Sequence, residues 1–369
     1  VLTASDKDVV TLASNVSVTG LGIDPSGSGG GLKGAAGVNS PTINDVIVND
    51  TGTLGANPGL ELAGTAGTTN ISDLGVTTDG AAGVKVTGAT GTTNFSDLSV
   101  TTHGAAGVEF TGTTGTTNIS NLSVTTDQGT GVKLTNAGTV VFASSGTVSI
   151  VTTQAAGLDV TGTDLTNSEF DSITVTGSGN GGVSLTDVTG PTGLRDLALT
   201  TTGGTAPAFS MSNAGSVTVP AAGTATLSAT GGPAVSVTGS SGASLAFDNV
   251  SASGGAKGIN IAGLGTGTFS ATGGSLTGAT GIAFDLDGGS GTVDYAGSIG
   301  NGTGASVEIT GRTGGVVTLS GGITDGADAA GGISLTGNTG ATITLSGTVE
   351  LSTGSSSAFV ATGGGTVNV

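Results

Sequence analysis

The sequence predicts an all-β fold, a right-handed parallel β-helix with three short strands in each coil. A four-residue motif, in which glycine is followed by an apolar, an unrestricted and an apolar residue, returns every 24 residues between residues 59 and 136. Looser copies occur elsewhere in the chain at spacings of about 23 to 28 residues, within the range of solenoid repeats. Glycine fills 74 of the 369 positions, and threonine, valine and isoleucine are common between the glycines. A fixed period of this size is the signature of a solenoid.

Two apolar columns run through the repeats and predict the interior. Alternate residues of a strand point to opposite faces, so the second and fourth motif positions should both face inward. In the coil that starts at Gly281, these positions are Ile282 and Phe284. The occupants of the second position are Leu60, Val84, Val108, Val132, Leu158, Val183, Phe209, Val235, Ile259, Ile282, Val307, Ile333 and Phe359.

The third motif position is predicted to face outward, and its charge alternates from coil to coil. Its occupants in the regular region are Glu61, Lys85, Glu109 and Lys133. If the coils stack in register, these side chains lie about 4.8 Å apart and form a charge ladder. An exposed pair adds only about 0.5 kcal/mol, so the ladder should mainly fix the register.

Each 24-residue unit contains two further strand signals, which complete the coil. Parallel crossovers are nearly always right-handed, which sets the predicted hand of the helix. The signals centre on Ile71, Phe95 and Ile119, and on residues 74–76, 98–100 and 122–124.

The chain is predicted to have one continuous body after a short irregular start. Residues 1–30 are expected to form an irregular N-terminal partial coil, and residues 31–369 a single β-helix of about 14 coils without an internal boundary. A solenoid of this length needs no division, because each coil contacts only its neighbours. The strand-like run at residues 366–369 predicts that the chain continues or that this edge meets another molecule.

The composition limits the classes of partner. The formal net charge is −18 with only seven lysine and arginine residues, so no basic patch for nucleic acid is expected. There is no cysteine, which excludes disulfides and thiolate metal sites. Membrane insertion is not predicted, because no apolar run approaches 18 residues. A start at Val1 suits a mature secreted product.

The repeats resemble bacterial β-strand-repeat surface proteins, which include autotransporter passengers and large adhesins with right-handed β-helices. The resemblance rests on the runs GVKVTG at 83–88, GTTNFSDLSVTT at 91–102 and GGGTVNV at 363–369. It covers most of residues 31–369. It implies an exported protein that acts outside the cell as an adhesin, stalk or fibre.

Candidate chemical groups are few, and each has a structural explanation. Asp73 and Asp97 recur at 24 residues and could hold a structural calcium ion, but Asn121 is the third member, and a solvated corner explains the column as well. Asp79, His103 and Asp127 occupy another turn column. A histidine between carboxylates could be a base, and an exposed turn accepts the same residues.

Asn70, Asn94 and Asn118 form a third column with a period of 24 residues. Two interpretations stay open. The amides could hydrogen-bond from coil to coil, or asparagine could simply suit the turn geometry.

These observations predict a secreted, non-catalytic structural or adhesive β-solenoid without a cofactor. It would build a fibre or cell-surface stalk by end-to-end pairing, or bind a glycan or protein on a host or neighbouring surface. The alternatives are a β-helical lyase or hydrolase of acidic polysaccharides and, more remotely, an ice-binding threonine array. The predicted assembly edge consists of Val9, Val10, Leu12, Val367 and Val369.

Overall fold

The structure, a computed structural model, describes residues 1–5, 7–26, 29–50, 57–326 and 328–369. Over these ranges the chain is all-β and forms about 15 turns of parallel β-solenoid. The contacts divide it into two compact units. Unit 1 comprises Val1–Val175 and Asp187–Gly193, and unit 2 comprises Thr176–Thr186 and Leu194–Val369.

The strands of the first part of the chain are β1 (Leu2–Ser5), β2 (Val10–Leu12), β3 (Ser17–Ser26), β4 (Leu32–Gly34), β5 (Thr42–Asn49), β6 (Leu60–Ala63), β7 (Thr68–Thr78), β8 (Val84–Thr87), β9 (Thr92–Thr102), β10 (Val108–Thr111), β11 (Thr116–Thr126), β12 (Val132–Thr135), β13 (Thr139–Phe142), β14 (Val148–Thr152), β15 (Leu158–Thr161) and β16 (Ser168–Ser178).

The remaining strands are β17 (Val183–Thr186), β18 (Thr192–Thr202), β19 (Phe209–Ser212), β20 (Val217–Val219), β21 (Ala225–Thr230), β22 (Val235–Thr238), β23 (Ser244–Phe247), β24 (Asn249–Ser253), β25 (Lys257–Ala262), β26 (Thr268–Ala271), β27 (Ser275–Thr277), β28 (Ile282–Asp287), β29 (Thr292–Tyr295), β30 (Ser298–Asn301), β31 (Ala305–Thr310), β32 (Val316–Leu319), β33 (Ile323–Asp325), β34 (Ile333–Thr336), β35 (Thr342–Leu345), β36 (Val349–Leu351), β37 (Phe359–Thr362) and β38 (Thr366–Asn368).

The repeated motif forms one short strand per coil, and these strands pair in parallel. In unit 1, Leu60 aligns with Val84, Val84 with Val108 and Val108 with Val132. All four side chains are fully buried. This confirms the predicted inward column and the parallel solenoid fold.

One coil of unit 2 is in a different register from the one that the repeat predicts. Ile259 aligns with Phe284, and Ile261 aligns with Leu286. The inward pair of β28 is therefore Phe284 and Leu286, not Ile282 and Phe284. Residues 282, 284 and 286 are all apolar, and a slip of two residues keeps the same face inward, so the alternation alone cannot distinguish the two registers.

The two other strand signals of a regular coil are joined into one bent strand. β7, β9 and β11 each contain 11 residues. Asp73, Asp97 and Asn121 interrupt the middle of these strands with left-handed φ values of 49°, 57° and 58°. Aspartate and asparagine tolerate this conformation better than most residues, so one such residue turns the strand from one face of the coil to the next.

Glycine has a second structural role, where the chain returns to the motif strand. A Cβ atom on Gly107 would lie 2.3 Å from Cγ1 of Val124 and 2.7 Å from the carbonyl oxygen of Gly131. Gly83 and Gly131 face equally short contacts in their own coils. The first motif position must therefore be glycine in these coils, because the backbone runs directly against an inward side chain.

Aromatic side chains pack in the interior of both units. In unit 1 the rings of Phe95 and Phe110 stack with centroids 5.9 Å apart, and both are buried. In unit 2 Phe284 lies 5.9 Å from Tyr295. The hydroxyl of Tyr295 donates to the carbonyl oxygen of Val250 at 3.0 Å, and burial raises its pKa.

The start of the chain is part of the solenoid. β1, β2 and β3 lie within residues 1–30, and Val10 aligns with Leu32 of the next coil. Leu32 in turn aligns with Leu60, a longer step along the chain. The predicted absence of an internal boundary between residues 31 and 369 stays a prediction.

Candidate functional site

The charged column of unit 1 lies along the outer face of the motif strands. Glu61 aligns with Lys85, Lys85 with Glu109, and Glu109 with Lys133. The Nζ atom of Lys85 lies 3.6 Å from Oε2 of Glu109. The motif strand orients each of these side chains outward, because its neighbours in sequence occupy the two inward columns.

The column is longer than the sequence motif indicated. Lys33 aligns with Glu61 at one end, and Lys133 aligns with Asp159 at the other. Lys33 Nζ lies 3.1 Å from Glu61 Oε2 and 3.7 Å from Asp8 Oδ2. The hydrogen bond to Glu61 and the charges of Glu61 and Asp8 raise the pKa of Lys33. Charges of opposite sign thus alternate along the column from Lys33 to Asp159, and Asp8 adds a carboxylate beside Lys33.

The asparagine column forms a chain of side-chain hydrogen bonds. Asn94 Nδ2 donates to Asn70 Oδ1 at 2.8 Å, and Asn118 Nδ2 donates to Asn94 Oδ1 at 2.8 Å. These residues align directly in β7, β9 and β11. Each amide can donate to one neighbour and accept from the other, so the column links three successive coils.

Two shallow grooves flank the bend of the long strands. The first, with a volume of about 440 Å³, is lined by the three asparagines and by Ser72, Ser96 and Ser120, with Phe95 in its floor. The second, of about 420 Å³, is lined by Asp97, Asn121 and outward serine and threonine side chains. More of the exposed lining of both grooves is apolar than polar, and their polar groups are amides, hydroxyls and, in the second groove, the carboxylate of Asp97.

The aspartates that the sequence proposed for calcium are corner residues. Asp97 Oδ1 accepts a hydrogen bond from Asn121 Nδ2 at 2.7 Å, and Asn121 Oδ1 accepts from the backbone N–H of Thr147 at 2.9 Å. The column therefore links coils in the same way as the asparagine column. The calcium ion at Asp73 and Asp97 stays a prediction.

The histidine column is exposed. His103 Nδ1 lies 3.1 Å from Asp79 Oδ1, and the two side chains are 60% and 42% exposed. Such a pair is open to solvent on most sides. The two grooves beside the bend do not include either residue.

The predicted assembly residues differ in exposure. Val9 and Val10 are half-buried and Leu12 is buried, whereas Val369 is 78% exposed and Val367 is half-buried. β38 pairs with β35, and β37 pairs with β34. Phe359 in β37 is 38% exposed. These strands present apolar side chains at an edge of unit 2.

Sequence reasoning missed the buried polar residues of unit 2. Arg312 is fully buried, and Asn301 and Asp325 are almost fully buried. Asn301 and Asp325 are aligned residues of neighbouring strands, but neither they nor Arg312 lie in the two predicted inward columns, so the repeat did not mark them as buried. The spacing of Asn301 and Asp325, equal to the 24-residue repeat, was a signal for that pair.

Two further properties of the described residues bear on function. No helix in them is long and apolar enough to cross a bilayer. Within the same ranges, no three histidine, cysteine, aspartate or glutamate side chains are grouped so that they could hold a metal ion. Comparison with protein-family models, with curated proteins and with solved structures gave no match.

Proposed function

We propose that this chain is a secreted, non-catalytic β-solenoid with a structural or adhesive role, which builds an extracellular fibre or a cell-surface stalk. The main support for the proposal is that outward polar side chains of successive coils in unit 1 bond to one another. The charged column and the asparagine column bond one coil to the next, which supports a role in stiffening the chain. The resemblance to bacterial surface proteins supports export.

The grooves beside the bend support the adhesive part of the proposal. Their lining combines apolar surface with amides and hydroxyls, so they suit an uncharged partner with both apolar and polar faces, such as a glycan or a protein on a neighbouring surface. An array of hydrogen-bonding groups on a rigid support loses little conformational entropy on binding. Turnover of an acidic polysaccharide that the substitution Asp97→Ala abolishes would contradict the non-catalytic assignment and favour the lyase or hydrolase alternative.

Assembly is proposed to occur by addition of parallel strands to the edge formed by β37 and β38. In a solution of the 369-residue chain, the added strands would come from β1 and β2 of a second copy. Leu2 is 45% exposed and Phe359 is 38% exposed, so both edges carry accessible apolar side chains. A head-to-tail contact of this kind uses two different surfaces, and it extends into a filament when its rotation does not close into a ring.

Sedimentation velocity and electron microscopy of the purified chain test this assembly. We expect species that lengthen with protein concentration, and a return to single particles in Val367→Lys/Val369→Lys, because added charge blocks strand pairing at an edge. Val316→Lys is the matched control, since Val316 is 44% exposed on β32 and lies away from this edge in sequence. Single particles of the unaltered chain at every concentration would refute end-to-end assembly.

A further inference from the structure

Most buried polar groups at the ends of strands have hydrogen-bond partners. In unit 1 the hydroxyl groups of Thr78 and Thr152 each donate to a carbonyl oxygen three residues later, at 2.7 Å. In unit 2 Thr353 does the same. A buried polar atom that lacks such a partner is uncommon and needs a physical explanation.

Three such atoms occur in unit 2, on the last residues of β30 and β33 and on a residue shortly after β33. They are Asn301 Oδ1, Asp325 Oδ2 and Asp328 Oδ2, and each is buried without a hydrogen-bond donor among the described residues. Asn301 is 2% exposed and Asp325 is 7% exposed. All three atoms are acceptors when the carboxyl groups are ionised, so they cannot satisfy one another.

The backbone brings these side chains to one corner of the coil. Asn301 and Asp325 are aligned residues of neighbouring parallel strands. The N–H of Gly326 donates to the carbonyl oxygen of Asn301 at 2.8 Å, and the N–H of Asp328 donates to that of Gly326 at 2.9 Å. Burial is the largest cause that raises the pKa of Asp325, and the charge of the nearby Asp328 raises it as well.

The other polar atoms of the same side chains are bonded, which fixes their orientation. Asn301 Nδ2 donates to the carbonyl oxygen of Ala305 at 2.9 Å. Ser306 Oγ donates to Asp325 Oδ1 at 3.0 Å, and the N–H of Ala330 donates to Asp328 Oδ1 at 2.7 Å. Each side chain is thus held by one polar atom, and its remaining oxygen is available to a ligand.

We propose that Asn301 Oδ1, Asp325 Oδ2 and Asp328 Oδ2 bind a calcium ion between two coils of unit 2. The donor set is one amide and two carboxylate oxygens, which is the chemistry that a hard divalent cation takes. The two carboxylates balance its charge. Calcium tolerates irregular geometry and fills its remaining positions with water, whereas magnesium requires a near-ideal octahedron.

A proton is the competing explanation for the same atoms. Burial raises the pKa of Asp325, the hydrogen bond from Ser306 lowers it, and the charge of Asp328 raises it further. A protonated Asp325 would supply one O–H donor to one of the orphaned oxygens. It would leave another orphaned, whereas one cation serves all three.

The test uses the full chain after chelation and dialysis. Isothermal titration with calcium chloride gives the binding stoichiometry, and thermal unfolding with and without calcium gives the coupled stabilisation. The variants Asp325→Asn and Asp328→Asn each remove one charge with little change of shape. Asp294→Asn removes a charge from an exposed residue of β29 in the same unit and is the matched control. Circular dichroism checks that every variant keeps its β content.

We expect calcium to bind with a dissociation constant of about 0.1 to 1 mM and to raise the midpoint of thermal unfolding. Asp325→Asn and Asp328→Asn should weaken binding at least about tenfold, while Asp294→Asn should bind normally. Magnesium at equal concentration should raise the midpoint less.

Two results would overturn the proposal. One is the absence of calcium binding up to about 10 mM, well above the range of weak extracellular sites. The other is binding that neither Asp325→Asn nor Asp328→Asn weakens. If a proton fills the site instead, stability without calcium falls as the pH rises through the raised pKa of Asp325, and Asp325→Asn abolishes that dependence. If the chain shows this pH dependence and does not bind calcium, the proposed calcium site is wrong.

Discussion

Replacement of Phe110 by alanine should reduce the free energy of unfolding by about 3 to 5 kcal/mol, the usual range for a buried phenylalanine. Phe110 is fully buried, and its ring stacks on that of Phe95. Alanine would leave a cavity between coils that cannot close, because each coil is held in register by its neighbours. Urea unfolding followed by circular dichroism measures the loss.

Phe359→Ala is the control for this substitution. Its side chain is 38% exposed, so the same chemical change should destabilise unit 2 by a clearly smaller amount. Repeat structures often unfold in segments, so the transitions should be followed separately if more than one is observed. Equal losses for Phe110→Ala and Phe359→Ala would contradict a packed interior at Phe110.

Replacement of Arg312 by alanine should destabilise unit 2 by about 3 kcal/mol, because it leaves a cavity and buried carbonyl groups without donors. Arg312 is fully buried. Its Nη1 atom donates to the carbonyl oxygen of Gly288 at 2.6 Å, and its Nη2 atom donates to that of Gly291. Its backbone N–H donates to Asn338 Oδ1 at 3.0 Å. Burial lowers the pKa of the guanidinium.

Two further variants separate packing from hydrogen bonding at this position. Arg312→Met restores most of the volume without the donors, so its loss of stability should lie between those of the unaltered chain and Arg312→Ala. Arg195→Ala is the control, because Arg195 is exposed and a surface substitution changes stability by about 0.5 kcal/mol at most. If Arg312→Ala unfolds at the same urea concentration as Arg195→Ala, the buried hydrogen bonds do not stabilise the unit.

The fold could be predicted from the sequence because the same physical constraint repeats in every coil. Leu60, Val84, Val108 and Val132 occupy one column because each must pack on the next, and the period shows this directly. The outward charged column could be predicted for the same reason. The ladder nevertheless extends to Lys33 and Asp159, where the spacing is longer than in the regular region and the period no longer marks the position.

The remaining features depend on single residues that no period reveals. The bend at Asp97 joins two predicted strands, because one left-handed residue turns the chain without ending the ladder. Phe284 aligns with Ile259, a register that alternation alone does not determine. Asn301 and Asp325 form a single aligned pair, and Arg312 lies outside the predicted inward columns. Their significance depends on which atoms surround them, and the sequence does not give those neighbours.

Disulfide trapping tests the central claim, that successive coils stack in parallel register, most directly. The chain has no cysteine, so pairs can be introduced without interference. Ser99 aligns with Ser123 in unit 1, and Thr318 aligns with Thr344 in unit 2. Aligned residues of paired strands lie about 5 Å apart at their Cα atoms, within the range of a disulfide, whereas diagonal neighbours are too distant.

We expect Ser99→Cys/Ser123→Cys and Thr318→Cys/Thr344→Cys to oxidise readily in the folded chain, and the diagonal pair Ser99→Cys/Thr125→Cys to stay reduced. Preferential oxidation of the diagonal pair, or equal oxidation of all three, would contradict the solenoid register.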